Sequence, residues 1–282
     1  MSDKIELLSE SLIDDNKDLA LDVLGYLSKF GCGLGWHYLL DLIWILRELE
    51  LPVGSTILDA GAGTGVLQYI LALRGYNVIS ADVNKRNSPP FLEKIINVRM
   101  VSTGAELDHP FLEWHGLNQS GDVTTEKIEG ADPQLPEIAF YHADLKDLSL
   151  LEDNCIDAVV SLSALEHNDL DSLEQILKEL NRVLVPNGSM HITVSAAEKS
   201  FFHESSHSWI LDEEDIIKHY ELVKIAESNF SEFKSIFAGI KSSERLSSWL
   251  SYAYYRSDKN GMPWGKWNPA YQPVGISKIT HK

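Results

Sequence analysis

The stretch ILDAGAGTG, Ile57 to Gly65, runs from an apolar segment through an acid, Asp59, into three glycines spaced G-x-G-x-G. The residues leading into it, STILDA, read as a short strand, and the VLQYILALRG that follows reads as an amphipathic helix closed by Gly75. Strand, glycine turn and helix in that order make a ligand cradle. Glycine lets the backbone turn tightly and approach a ligand with no Cβ in the way, beside the free N–H groups of a helix start. A dinucleotide fingerprint is spaced G-x-G-x-x-G, so this spacing argues against an NAD-dependent oxidoreductase.

A second glycine stretch, GCGLGWHY at Gly31 to Tyr38, has a different context. Leu21, Leu24 and Leu27 precede it at helical spacing, and Trp36, Leu39, Leu40, Ile43 and Leu46 mark one face of a following helix. These glycines are turn punctuation between helices. Residues 1–50 are therefore read as N-terminal helices that cover a cofactor site, with His37 at its entrance, and 51–282 as the main domain.

Downstream, YNVISAD is a second strand ending in Asp82, IAFYHAD a third ending in Asp144, and CIDAVVSLSALEH a fourth. Leu173, Ile176, Leu177, Leu180, Val183 and Leu184 share a helical face that stops at VPNG, before a fifth strand, SMHITV. A helix is expected near DEEDIIKHY and another near SSERLSSWLSYAYY, and AYQPVGISKIT is a last, antiparallel strand. Two insertions interrupt this plan, at about 86–136 and about 225–270; the second carries the aromatic residues Trp249, Tyr254, Trp264 and Trp267.

Composition narrows the partners. In 282 residues, 42 acidic and 24 basic side chains give a formal charge of −18, which repels phosphate backbones and anionic membrane surfaces. No nucleic-acid or membrane partner is expected. Cys32 and Cys155 stand in no metal-ligand spacing and suit a reducing compartment, the opening MSDKIELLSESLIDDNKD has no continuous apolar core, and LLDLIWIL is too short to span a bilayer. The expectation is a cytoplasmic protein with no bound metal; nothing in the chain speaks to oligomeric state.

ILDAGAGTG, the acids closing the second and third strands, and DAVVSLSALEH followed by LKELNRVLVPNGSMHITV together resemble the class I S-adenosylmethionine-dependent methyltransferases, over about residues 55 to 195. The resemblance implies an α/β fold: a doubly wound, mostly parallel seven-stranded sheet with helices on both faces, binding S-adenosyl-L-methionine at the carboxyl ends of the strands. It implies that Gly61, Ala62, Gly63 and Gly65 border the methionine part of the cofactor and that Asp59 meets its ammonium group. Asp82 takes the ribose hydroxyls, Asp144 accepts from the adenine amino group, Val83 and Leu145 wall the ring, and Ser163 completes the cofactor set.

Methyl transfer to oxygen or nitrogen releases a proton, and histidine is the natural base. His167 follows the fourth strand and His203 and His207 follow the fifth, where the family places acceptor contacts. The reading favours O-methylation of a small molecule, a sugar or another secondary metabolite. The alternatives are an N-methyltransferase, a protein methyltransferase and a non-catalytic S-adenosylmethionine-binding regulator. SLSALE stands where amide-methylating enzymes carry an NPPY-like motif, which disfavours nucleobase and glutamine nitrogens.

Overall fold

The computed structural model describes residues 3–30, 34–84, 96–103, 123–127, 135–223, 225–249 and 267–280. Its strands are β1 (Asp3–Leu7), β2 (Thr56–Ala60), β3 (Asn77–Asp82), β4 (Asn97–Thr103), β5 (Val123–Lys127), β6 (Glu137–His142), β7 (Ile156–Leu162), β8 (Leu184–Ala196), β9 (Phe201–His203), β10 (Ser208–Ile210), β11 (Ile225–Ser228) and β12 (Gln272–Ile279). Its α-helices are α1 (Ser11–Asp15), α2 (Lys17–Phe30), α3 (Tyr38–Glu48), α4 (Leu67–Leu73), α5 (Leu170–Val183), α6 (Glu213–His219), α7 (Phe233–Ser242) and α8 (Glu244–Trp249). The chain divides into two compact units. One comprises 1–50, 162–173 and 191–278; the other comprises 51–161, 174–190 and 279–282.

The unit built on 51–161 carries strands in the order β7-β2-β3-β6-β4-β5. The pairs β2·β7, β2·β3, β3·β6 and β4·β6 are parallel, and β5 closes the edge antiparallel to β4. Ile57, Leu58, Val78, Ile79, Ile138, Ala139, Val159 and Val160 are all buried, the near-continuous apolar pattern of strands covered on both faces. Within the first insertion the structure describes β4 and β5; most of its other residues lie outside the described ones.

In the unit that opens the chain, β1 lies between β11, to which it is parallel, and β12, to which it is antiparallel, with β8 beyond β12. Helix α3 is apolar almost all round, and every residue from Leu39 to Leu46 is buried. Its Trp44 faces Gly275 of β12, where a Cβ would come within 2.2 Å of the indole, so only glycine fits. Helix α6 starts on Asp212, whose carboxylate accepts from Asp215 N at 3.0 Å.

Several expectations are revised. Leaving aside the β9–β10 hairpin, the sheet strands number six in one unit and four in the other among the described residues, not seven, because β4, β5, β1 and β11 add to the expected set. β1 was missed because only four residues, Lys4 to Leu7, alternate charged and apolar, too few to tell from the lead-in to a helix. β6 ends at His142, so Asp144 stands two residues past the strand. VPNG is no separate turn: β8 begins at Leu184 directly after α5, and Asn187, at φ 64°, bends the strand internally. Gly31 to Gly33, including Cys32, and Tyr254 and Trp264 lie outside the described residues, as does the side chain of Trp249.

Candidate functional site

Beyond the end of β2, Gly61 and Ala62 both donate to Ala81 O, at 2.9 and 3.1 Å, which ties the glycine loop to β3. Gly63 adopts φ +51°, and no atom lies within 4 Å of where its Cβ would stand. That side of the loop is bare backbone facing open space. Gly65 N closes a turn on Ala62 O at 3.0 Å.

Buried polar side chains hold this loop from behind. Gln68 of α4 donates to Gly65 O at 2.8 Å and accepts from Ser80 Oγ at 2.5 Å, and Ser161 Oγ donates to Ala60 O at 2.8 Å. None of the three was singled out from the sequence. A glutamine and two serines within apolar segments are the only trace they leave there.

The expected cofactor residues of this unit fall into two groups. Asp59 is buried at the end of β2. Asp82 closes β3 and accepts from Gly63 N at 2.8 Å, Asn84 N at 2.8 Å and Asn84 Nδ2 at 3.1 Å. A carboxylate offers about four lone-pair positions, so roughly one remains, and holding two hydroxyls requires the Asn84 amide to give way. Val83 is 63% exposed, an apolar side chain standing in the open next to Asp82, while its carbonyl accepts from His142 Nε2 at 2.9 Å. Asp144 is exposed and bound to its own loop, through Lys146 N at 3.0 Å and Lys146 Nζ at 3.4 Å; Leu145 beside it is buried. Bare glycine backbone on an open side, an acid at the next strand end and an exposed apolar neighbour fit the methionine, ribose and adenine parts of S-adenosylmethionine.

The other expected residues lie in the other unit. Ser163, at φ 47°, is a non-glycine residue in left-handed backbone, held by Thr193 through O at 3.0 Å and Oγ1 at 3.2 Å. Its hydroxyl donates to Glu166 Oε1 at 2.8 Å. His167 is exposed and its Nδ1 donates to His207 O at 3.0 Å, while His207 occupies the turn of the β9–β10 hairpin at φ 52°. His203, at the end of β9, accepts on Nδ1 from Ser206 N at 3.3 Å and pairs with Ser206 Oγ at 2.6 Å, which places its ring proton on Nε2. Burial holds the His203 imidazole below the ordinary histidine range.

The same unit gathers a polar cluster that sequence reasoning did not assemble. His37 Nδ1 and Asp41 Oδ2 meet at 2.5 Å, both buried. The His37 ring packs edge-on against Trp36, Tyr38 and Tyr271 at centroid distances of 5.3, 4.5 and 5.7 Å. Tyr271 also meets His203 at 5.9 Å, and Trp267 meets Trp36 at 5.6 Å. Burial raises the carboxyls of both Asp41 and Glu166, with His37 and His167 pulling the latter back. Asp41 Oδ1, Glu166 Oε2 and the Tyr220 hydroxyl are buried with no hydrogen-bond partner. Among the described residues, no group of three His, Cys, Asp or Glu is placed to hold a metal ion, and no helix is long and apolar enough to cross a membrane.

Residues 107–192 match the family model described as a methyltransferase domain. No curated protein matches the chain at a significant level. Among solved structures, a Haemonchus contortus phosphoethanolamine N-methyltransferase 2 is similar at 14% identity and TM-score 0.46; the alignment covers 96% of this chain and 59% of that one. A Burkholderia thailandensis 1,6-didemethyltoxoflavin-N1-methyltransferase is similar at 13% identity and TM-score 0.47, over 95% of this chain and 90% of that one. The [4+2]-cyclase SpnF is similar at 14% identity and TM-score 0.48, over 100% and 99%. The chain thus spans about three-fifths of the length of the Haemonchus enzyme, and likenesses at this level carry no argument about reaction or substrate. The methyltransferase-domain match takes in β6, β7 and α5, the segments that follow the glycine cradle, so that part of the chain is similar to a methyltransferase domain.

Proposed function

We propose that this protein transfers the methyl group of S-adenosyl-L-methionine to a small molecule. The observation that carries the proposal is the glycine loop pinned by Asp82 through Gly63 N, with bare backbone on its open side. Bound there, the sulfonium of the cosubstrate supplies an electrophilic methyl group. Gly61, Ala62, Gly63 and Gly65 admit the amino-acid part, Asp59 compensates its ammonium group, Asp82 orients the ribose, and Val83, Asp144 and Leu145 border the adenine. Ser163 acts through Glu166, to which its hydroxyl is already committed.

On the acceptor side, His167, His203 and His207 are the proposed proton carriers. The finer reading is O-methylation of a sugar or another secondary metabolite, in the cytoplasm. The acidic chain disfavours nucleic acid as acceptor. The test is incubation with methyl-labelled S-adenosylmethionine and a fractionated small-molecule extract. Label recovered in a low-mass compound is the expected result. Label recovered only in protein contradicts the small-molecule reading, and cosubstrate bound without any transfer favours a non-catalytic binding role.

A further inference from the structure

The acid and aromatic cluster of the first unit does more than fill a core. Asp41 and Glu166 are 1% and 3% exposed, and each keeps one carboxyl oxygen without a partner. Leaving such oxygens unmatched in a buried site costs free energy, and evolution removes it easily by substituting an amide or an apolar residue. The cluster instead packs Trp36, Tyr38 and Tyr271 on the His37 ring that bonds Asp41, rings whose faces and edges are apolar and whose π-systems attract cations.

His37 does not settle the account. Its Nδ1–H satisfies Asp41 Oδ2 in the neutral tautomer as well as the charged one, and Asp41 Oδ1 stays unmatched in both. Glu166 is similarly half-satisfied: Ser163 serves Oε1 and nothing serves Oε2. Among the described residues, the ion pair to Asp41 comes from His37 and neither carboxyl pairs with a lysine or arginine. Two half-satisfied buried acids, the orphan hydroxyl of Tyr220 and a set of aromatic rings, with the imidazoles of His37 and His167 as the cationic groups facing the acids, are complementary to one ligand chemistry, a compact organic cation with N–H or polarised C–H groups.

We propose that Asp41 and Glu166, with the rings of Trp36, Tyr38 and Tyr271, form a recognition subsite for an ammonium group carried by the methyl acceptor. The inference rests on the methyltransferase reading above and adds the substrate class: an amine or quaternary nitrogen on the acceptor molecule, whichever of its atoms receives the methyl group. The acids determine specificity by accepting from, or neutralising, the cation, and the rings exclude strongly hydrated ions such as sodium.

The test is saturation-transfer NMR on the full chain with tetramethylammonium chloride as the probe, at constant ionic strength set with sodium chloride, and tert-butanol as the neutral probe of the same shape. Tetramethylammonium is expected to receive saturation and tert-butanol not to displace it. Glu166→Gln, which keeps the shape and the bond to Ser163, is expected to weaken the cation about tenfold, and Tyr271→Phe to leave it within about threefold because the ring remains. Equal signals from both probes, or no tetramethylammonium signal in the wild-type chain, overturns the proposal, as does unchanged affinity in folded Glu166→Gln. A parallel titration with S-adenosylhomocysteine separates the two readings: if it binds and the cation does not, the subsite fails and the methyltransferase reading stands; if it does not bind, the failure lies in the methyltransferase reading itself.

Discussion

In the glycine cradle the buried polar groups behind the loop answer one another: Ser80 donates to Gln68, Gln68 to Gly65 O, Ser161 to Ala60 O, and Asp82 collects three donors. In the cluster around His37, Asp41 Oδ1, Glu166 Oε2 and the Tyr220 hydroxyl are buried and unanswered. The first arrangement is complete without a ligand and presents bare backbone to it. The second is incomplete and spends stability on groups the fold does not need. On the proposed reading, the glycine loop is pre-organised for its cosubstrate apart from the Asn84 amide on Asp82, whereas the acceptor subsite keeps its recognition groups unspent.

The sharpest way to break this contrast is to fill the cradle. Gly63→Val places a β-branched side chain at φ +51° in the open space the cosubstrate needs, so S-adenosylhomocysteine binding is expected to be lost while far-ultraviolet circular dichroism stays near wild type. Retained binding in the folded variant contradicts the assignment of the loop.

Next come the proton carriers. His167→Ala, His203→Ala and His207→Ala should each preserve S-adenosylhomocysteine affinity, and one should lower kcat by about 100- to 10,000-fold if it is the base. Three fully active variants move the base to the carboxyl groups of the cluster. A change in KM alone marks an acceptor contact.

The cluster also depends on the frame beneath it. Gly275→Ala drives a methyl group to 2.2 Å from a rigid, fully buried indole on α3, the helix that carries Asp41, and should destabilise the protein by about 3 kcal/mol in chemical denaturation. A loss below about 0.5 kcal/mol contradicts the close packing of β12 on α3.

The smallest effect is the most pointed test of the unspent acids. Burial raises the Glu166 carboxyl above its ordinary value of 4.5, so the unfolded chain releases this proton first and the group's contribution to stability is lost as pH rises from about that value toward the folded one. Glutamine cannot ionise. Relative to wild type, Glu166→Gln should therefore gain melting temperature at pH 8 compared with pH 4.5; a relative loss at pH 8 contradicts an uncompensated buried acid.

How much of this was legible in the chain follows from the range of the interactions. β2, the glycine turn, α4 and β3 are contiguous, and period and punctuation mark them well enough that residues 55 to 82 alone put Asp59 and Asp82 near strand ends and Gly63 in the turn. Asp144 lies two residues past the strand it was expected to close, because HAD extends an apolar run by two residues, of which Ala143 still bonds to Asp82 O while Asp144 turns to its own loop. The cluster is the opposite case. Its members come from α3, the segment after β7, the end of α6 and the start of β12, so no local pattern joins them, and a glutamate beside a histidine in SALEH drew attention to the wrong neighbour. His203 and His207 stand four apart among serines that argue for a loop, and a hairpin turn at His207 sends them to different partners.

Calorimetric titration of S-adenosylhomocysteine into the wild-type chain and into Asp82→Ala, with NAD as the control ligand, tests the central claim most directly. The account predicts micromolar binding to wild type, about −8 kcal/mol, a loss of about ten- to a hundredfold in Asp82→Ala as a charge-assisted contact disappears, and no binding of NAD. Binding of NAD in place of S-adenosylhomocysteine, or S-adenosylhomocysteine affinity untouched by the loss of Asp82, contradicts it.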